Sequence, residues 1–128
     1  MSTILVIEDD HNLLEGLVLF LQMRGYATLS TTNGRTGLEI IRRQRPDVIV
    51  TNLQMPGADG LEVLHTVRSD AALSHTPVVF ITADHKPSVR QQAIHAGAAA
   101  YLTKPFTPED LAETILHLLE ETNHQQLT

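Results

Sequence analysis

Apolar residues along this chain fall into short runs separated by amphipathic stretches. The clear runs are residues 4–7, 48–50 and 78–81, with weaker ones at 26–29 and 98–102. The three clear runs are continuous rather than alternating, the pattern of strands covered by helices on both faces. Each candidate strand except the last is followed by a helical pattern, and a helix also follows Leu102 after a short break. Five βα units in succession predict an open, doubly wound parallel sheet.

Helix punctuation divides the chain in the same places. Asp10 is placed to cap a first helix ending near Gly25, and Pro87-Ser88 opens a fourth that closes at Gly97. Thr107-Pro108-Glu109-Asp110 supplies a cap, a proline for the first helical position and acids for the positive helix end. The fifth helix then sets Leu111, Ile115, Leu118 and Leu119 on one face, with Glu113 and His117 outside. We expect one domain over residues 1–122 and a polar, frayed tail over 123–128. The first helix is apolar almost all round: Leu13, Leu14, Leu17 and Leu21 form one stripe, while Leu19 and Met23 fall roughly opposite. Those two are either ordinary exposed apolar residues or part of a partner surface.

Composition narrows the function classes. The chain has 128 residues, 42% of them hydrophobic, which suits one globular core. It has no cysteine, so no disulfide or thiolate chemistry is expected. Nothing resembles a signal peptide, and no stretch nears the roughly 18 apolar residues of a membrane helix, so we expect no membrane partner and a cytoplasmic location. The formal net charge of −6 opposes direct nucleic-acid binding, and the basic cluster Arg42, Arg43 and Arg45 reads as a solvated helix face. The seven histidines are dispersed, without ligand spacing, and read as surface or cap residues.

Sites in open α/β sheets form outside the carboxyl ends of the strands. Glu8, Asp9 and Asp10 follow the first strand; Asn52 through Pro56 follow the third; Thr82 and Ala83 follow the fourth; Lys104-Pro105-Phe106 follow the fifth. Adjacent carboxylates with an oxygen donor opposite suit a hard dication such as Mg²⁺, and a nearby hydroxyl and ammonium suit phosphoryl oxygens. Asp10 reads better as a helix cap than as a ligand.

Four segments carry a family resemblance: Ile4-Leu5-Val6-Ile7-Glu8-Asp9-Asp10, Met55-Pro56-Gly57-Ala58-Asp59-Gly60, Ile81-Thr82-Ala83 and Tyr101-Leu102-Thr103-Lys104-Pro105-Phe106. In this order, at these βα positions, they resemble response-regulator receiver domains of two-component signalling. The resemblance implies the flavodoxin-like strand order 2-1-3-4-5, the order that is a known example for this fold group. It also implies Mg²⁺ held by Glu8, Asp9, residue 52 and the Gln54 backbone carbonyl, with Thr82 and Lys104 on the phosphoryl oxygens. It further implies a switch pair, Thr82 and Tyr101, and a cis Lys104–Pro105 bond. A histidine kinase or phosphotransfer protein would be the donor. A homodimer or effector would use the face made by the fourth helix, fifth strand and fifth helix.

One position departs from the pattern. The family places its phosphate-accepting aspartate where this chain has Asn52. A neutral amide attacks phosphorus poorly, so we expect weaker Mg²⁺ affinity and no ordinary phosphorylation. Two readings stand open: a receiver whose acceptor has been replaced, and a phosphate-independent pseudo-receiver acting as an interaction module. An enzyme is disfavoured. Three acids after the first strand would repel a flavin phosphate, and Glu8-Asp9-Asp10 lacks the Asp-x-Asp spacing of an aspartate-nucleophile phosphatase.

Overall fold

In the computed structural model the elements alternate without exception: β1 (Thr3–Ile7), α1 (His11–Met23), β2 (Ala27–Thr31), α2 (Gly34–Gln44), β3 (Val48–Asn52), α3 (Gly60–Ser69), β4 (Val78–Thr82), α4 (Pro87–His95), β5 (Ala100–Thr103) and α5 (Pro108–Leu127). The structure describes the backbone of residues 1–127 and the side chains of residues 1–122. All strand pairs are parallel, in the order β2-β1-β3-β4-β5. This is the flavodoxin-like order that the motifs implied.

The continuous apolar runs are explained by two cores, one on each face of the sheet. Leu5, Ile7, Ile49, Val78 and Phe80 point to one side and pack with Leu38, Ile41, Val63, Leu64 and Val67 of α2 and α3. Ile4, Val6, Val48, Val50, Val79 and Ile81 point to the other and pack with α1 and α5. Successive strand residues face opposite sides, so a strand buried twice must be apolar at every position.

The weaker runs moved. β2 starts at Ala27 and runs through Ser30 to Thr31, because an edge strand is half solvated and accepts polar residues. β5 starts at Ala100 rather than 98: Gly97 has a left-handed φ of 112°, and the Ala98 amide donates back to the Ala93 carbonyl, so residue 98 belongs to the end of α4. The helix starts hold. Asp10 caps α1 through the Asn12 and Leu13 amides, and Thr107 exchanges hydrogen bonds with Asp110 at the head of α5. α5 continues past Thr122 to Leu127, through most of the stretch expected as a tail (123–128). Polarity there does not stop a helix, because residues 120–127 contain neither glycine nor proline. The side chains of that tail lie outside the described residues.

Two contacts matter for the site. The Gly34 amide donates to the Pro56 carbonyl (3.0 Å), and a Cβ on Gly34 would fall 1.8 Å from the Ala58 carbonyl oxygen. Only glycine lets the start of α2 come this close, and the contact fixes the loop that leaves β3 at Asn52. On the far side, the Arg68 guanidinium reaches from α3 to the carbonyls of Gly97, Ser74 and Thr76. Burial lowers its pKa, and it has no acidic partner among the described residues.

Candidate functional site

Register brings the carboxyl ends of four strands to one edge. Ile7 pairs with Thr51, Asn52 with Ile81, and Thr82 with Thr103, so the residues just beyond β1, β3, β4 and β5 share one rim. An open cleft there is lined by Asp9, Asn52, Gln54, Thr82 and Lys104, together with the loop from Ala83 to Lys86. Five expected site residues therefore converge. Glu8 lies beneath them, fully buried, and Tyr101 lies behind the Ala83–Lys86 loop rather than in the cleft.

The hydrogen bonds within this group use both oxygens of Glu8 and one of Asp9. Glu8 Oε1 accepts from Lys104 Nζ at 2.7 Å, and Glu8 Oε2 accepts from the Asp10 amide (3.0 Å) and from Asn52 Nδ2 (3.1 Å). The same Asn52 nitrogen donates to Asp9 Oδ1 at 3.1 Å. Carboxylates can only accept, so the amide must turn its NH₂ toward them and its oxygen away. Asp10 spends its own carboxylate on the α1 cap, as its sequence position suggested.

The other expected residues are fastened to the loop after β4. Thr82 is buried, and its Oγ1 accepts from the Asp84 amide at 3.1 Å. Tyr101 is 8% exposed, packed in the core with Phe80 and Ala98, and its hydroxyl donates to the Asp84 carbonyl at 2.9 Å. Burial pushes the Tyr101 phenol upward, the Asp84 carboxylate adds to this, and Arg90 opposes it. The Lys104 amide donates to the Thr82 carbonyl, and the Lys104–Pro105 bond is cis, as the motif implied.

Sequence reasoning passed over Asp84 and His85. His85 Nε2 lies 3.1 Å from the Lys104 carbonyl, although all histidines were read as surface or cap residues. His85 is indeed exposed; its role is a tether between the β4–α4 loop and the end of β5. The signal was present, since both residues follow Thr82-Ala83 at a strand end. Arg42, Arg43 and Arg45 are exposed, as expected of a solvated face. Leu19 and Met23 are 60% and 75% exposed.

Magnesium is a property of the family's acidic pocket, but the residues as arranged here do not fit it. A hard cation needs oxygen ligands, while Asn52 directs N–H groups at both acids and Lys104 already sits on Glu8. What the arrangement can do is neutralise Glu8 through Lys104 and hydrogen-bond Asp9 through the Asn52 amide.

Comparison with known proteins agrees with the fold and the motifs. The family described as response regulator receiver domain matches residues 4–116. The chain is 38% identical over 119 residues to the response regulator MprA of Mycolicibacterium vanbaalenii, covering 93% of this chain and 51% of that protein. It is 31% identical over 115 residues to the protein PilH of Pseudomonas aeruginosa, covering 90% and 95%. The chemotaxis response regulator CheY4 of Vibrio cholerae superposes with a TM-score of 0.86 at 30% identity, covering 92% of this chain and 98% of that one. The chain thus spans about half the length of the first of these relatives and nearly all of the other two.

Proposed function

This chain belongs to the response regulator receiver domain family, and from that premise we propose that it is a two-component receiver that takes no phosphoryl group at residue 52 and acts as a phosphate-independent interaction module. The observation that carries this reading is the Asn52 amide. It is neutral, and its nitrogen is engaged by Glu8 and Asp9, so it offers no carboxylate nucleophile.

The geometry around it favours a module over a receiver waiting for its signal. Lys104, the cation that would meet phosphoryl oxygens, is held on Glu8 at 2.7 Å. Tyr101, the aromatic half of the switch pair, is held inward by the Asp84 carbonyl, a contact the chain supplies itself. The α4–β5–α5 face is therefore set by internal bonds. Receiver domains interact with histidine kinases and effectors; for this chain the α4–β5–α5 face is the proposed contact for an effector or a second copy. The exposed Leu19 and Met23 on α1 are the proposed contact for a kinase or phosphotransfer protein. On this reading the chain binds without turning anything over, in the cytoplasm. Among the described residues no helix is long and apolar enough to cross a membrane.

Beryllofluoride with Mg²⁺, a mimic of a phosphoryl group on a carboxylate, tests the proposal by amide chemical shifts. The unaltered chain is expected to show no saturable change at residues 52–54, 82–85 and 101–104. A response of Asn52→Asp alone would mark the scaffold as a competent receiver silenced at one position, and no response from either form would favour the module. A response of the unaltered chain equal to that of Asn52→Asp would overturn the reading.

A further inference from the structure

We propose that the Asn52 side-chain amide is a built-in replacement for a divalent cation, bridging Glu8 and Asp9 so that the two acids are held together without metal. The inference rests on the reading of position 52 as a non-acceptor and extends it to the ion.

Glu8 and Asp9 are neighbours in sequence, and their carboxylates converge on a single nitrogen, each 3.1 Å from Asn52 Nδ2. Asp9 is exposed and water screens its charge in part, but two carboxylates brought this close still repel, and the repulsion is relieved by positive charge between them. A dication would supply it in full. The amide supplies it in part, because it has two N–H bonds and one is aimed at each acid. Charge-assisted bonds of this kind are stronger than neutral ones. Lys104 neutralises one of the two acids, leaving one net negative charge where an aspartate at position 52 would leave two. No buried side-chain nitrogen or oxygen among the described residues lacks a partner.

A cation entering this place would have to break both amide bonds and turn the amide to present Oδ1. It would also have to shed water, which Mg²⁺ does reluctantly, for a site with reduced charge. The amide and the ion are thus alternatives for one position. The pocket favours the group that is covalently attached.

The test is thermal unfolding of the unaltered chain, Asn52→Asp and Asn52→Ala, each in EDTA and in millimolar Mg²⁺. The melting temperature of the unaltered chain is expected to be the same in both. Asn52→Asp is expected to melt several degrees lower in EDTA and to recover with Mg²⁺, because the ion binds only the folded form. Asn52→Ala, which removes the bridge without adding charge, is expected to fall in EDTA and recover in part. A gain with Mg²⁺ in the unaltered chain as large as that of Asn52→Asp would overturn the proposal, as would Asn52→Ala melting like the unaltered chain in EDTA. If a variant does not fold, Mn²⁺ line broadening on the unaltered chain decides. Saturable broadening confined to the amides of residues 8–10 and 52–54 would sink the idea, and its absence supports it. Metal binding without a beryllofluoride response would overturn only this inference; a beryllofluoride response would overturn the functional reading beneath it as well.

Discussion

Replacing Lys104 by methionine is expected to lower folding stability by about 2–4 kcal/mol, because it strips the counter-charge from a fully buried carboxylate. Glu8 would keep its bonds from the Asp10 amide and Asn52, and the Lys104 side chain is itself 26% exposed. Both facts place the effect below the worst case for an orphaned buried charge. The double substitution Glu8→Gln with Lys104→Met is expected to regain part of the loss, since a neutral amide needs no cation although its buried NH₂ meets no acceptor. Urea denaturation of the four forms gives the coupling directly. Additive losses would mean that Lys104 is a surface lysine with no hold on Glu8.

Arg68→Ala should cost about 3 kcal/mol by removing charge-assisted hydrogen bonds to three backbone carbonyls. Arg68 ties the end of α3 to the segment before β4 and to the turn after α4. Its loss should show in amide shifts at residues 74–76 and 96–99. Arg68→Lys is expected to recover only part, because a single ammonium cannot copy the planar fork that meets Gly97, Ser74 and Thr76 together. A lysine variant as stable as the parent would contradict the geometric role given to the guanidinium.

Neither residue's work shows in the sequence in the same way. Lys104 was found because it belongs to a motif, Tyr101 to Phe106, whose place after β5 gave it a site to act on. Arg68 carries no motif and bonds only backbone carbonyls, which no side-chain pattern announces. The same difference runs through the fold. β1, β3 and β4 were legible because burial on both faces demands unbroken apolar runs. β2 and β5 shifted by one to two residues at their starts, since one is a half-solvated edge and the other begins after a helix-closing glycine. α5 outran its expected end because nothing in residues 120–127 breaks a helix.

For the site, strand-end reasoning placed Glu8, Asp9, Asn52, Gln54, Thr82 and Lys104 on one rim, and register made that possible. It could not say which way the Asn52 amide points. That depends on what faces it, and two acceptor-only carboxylates decide the matter. The tethers from Tyr101 to Asp84 and from His85 to Lys104 were illegible for a related reason: in each, a side chain meets a backbone carbonyl from a different segment. In this structure Asn52 donates to both acids and Lys104 pairs with the buried Glu8, two contacts the motifs alone did not show.

The central claim is that position 52 accepts no phosphoryl group. It is tested most directly by the intact mass of the unaltered chain after incubation with acetyl phosphate and Mg²⁺, with Asn52→Asp treated alongside. The unaltered chain should keep its mass while the aspartate form gains one phosphoryl group. A phosphoryl adduct on the unaltered chain, mapped to residue 52, would contradict it.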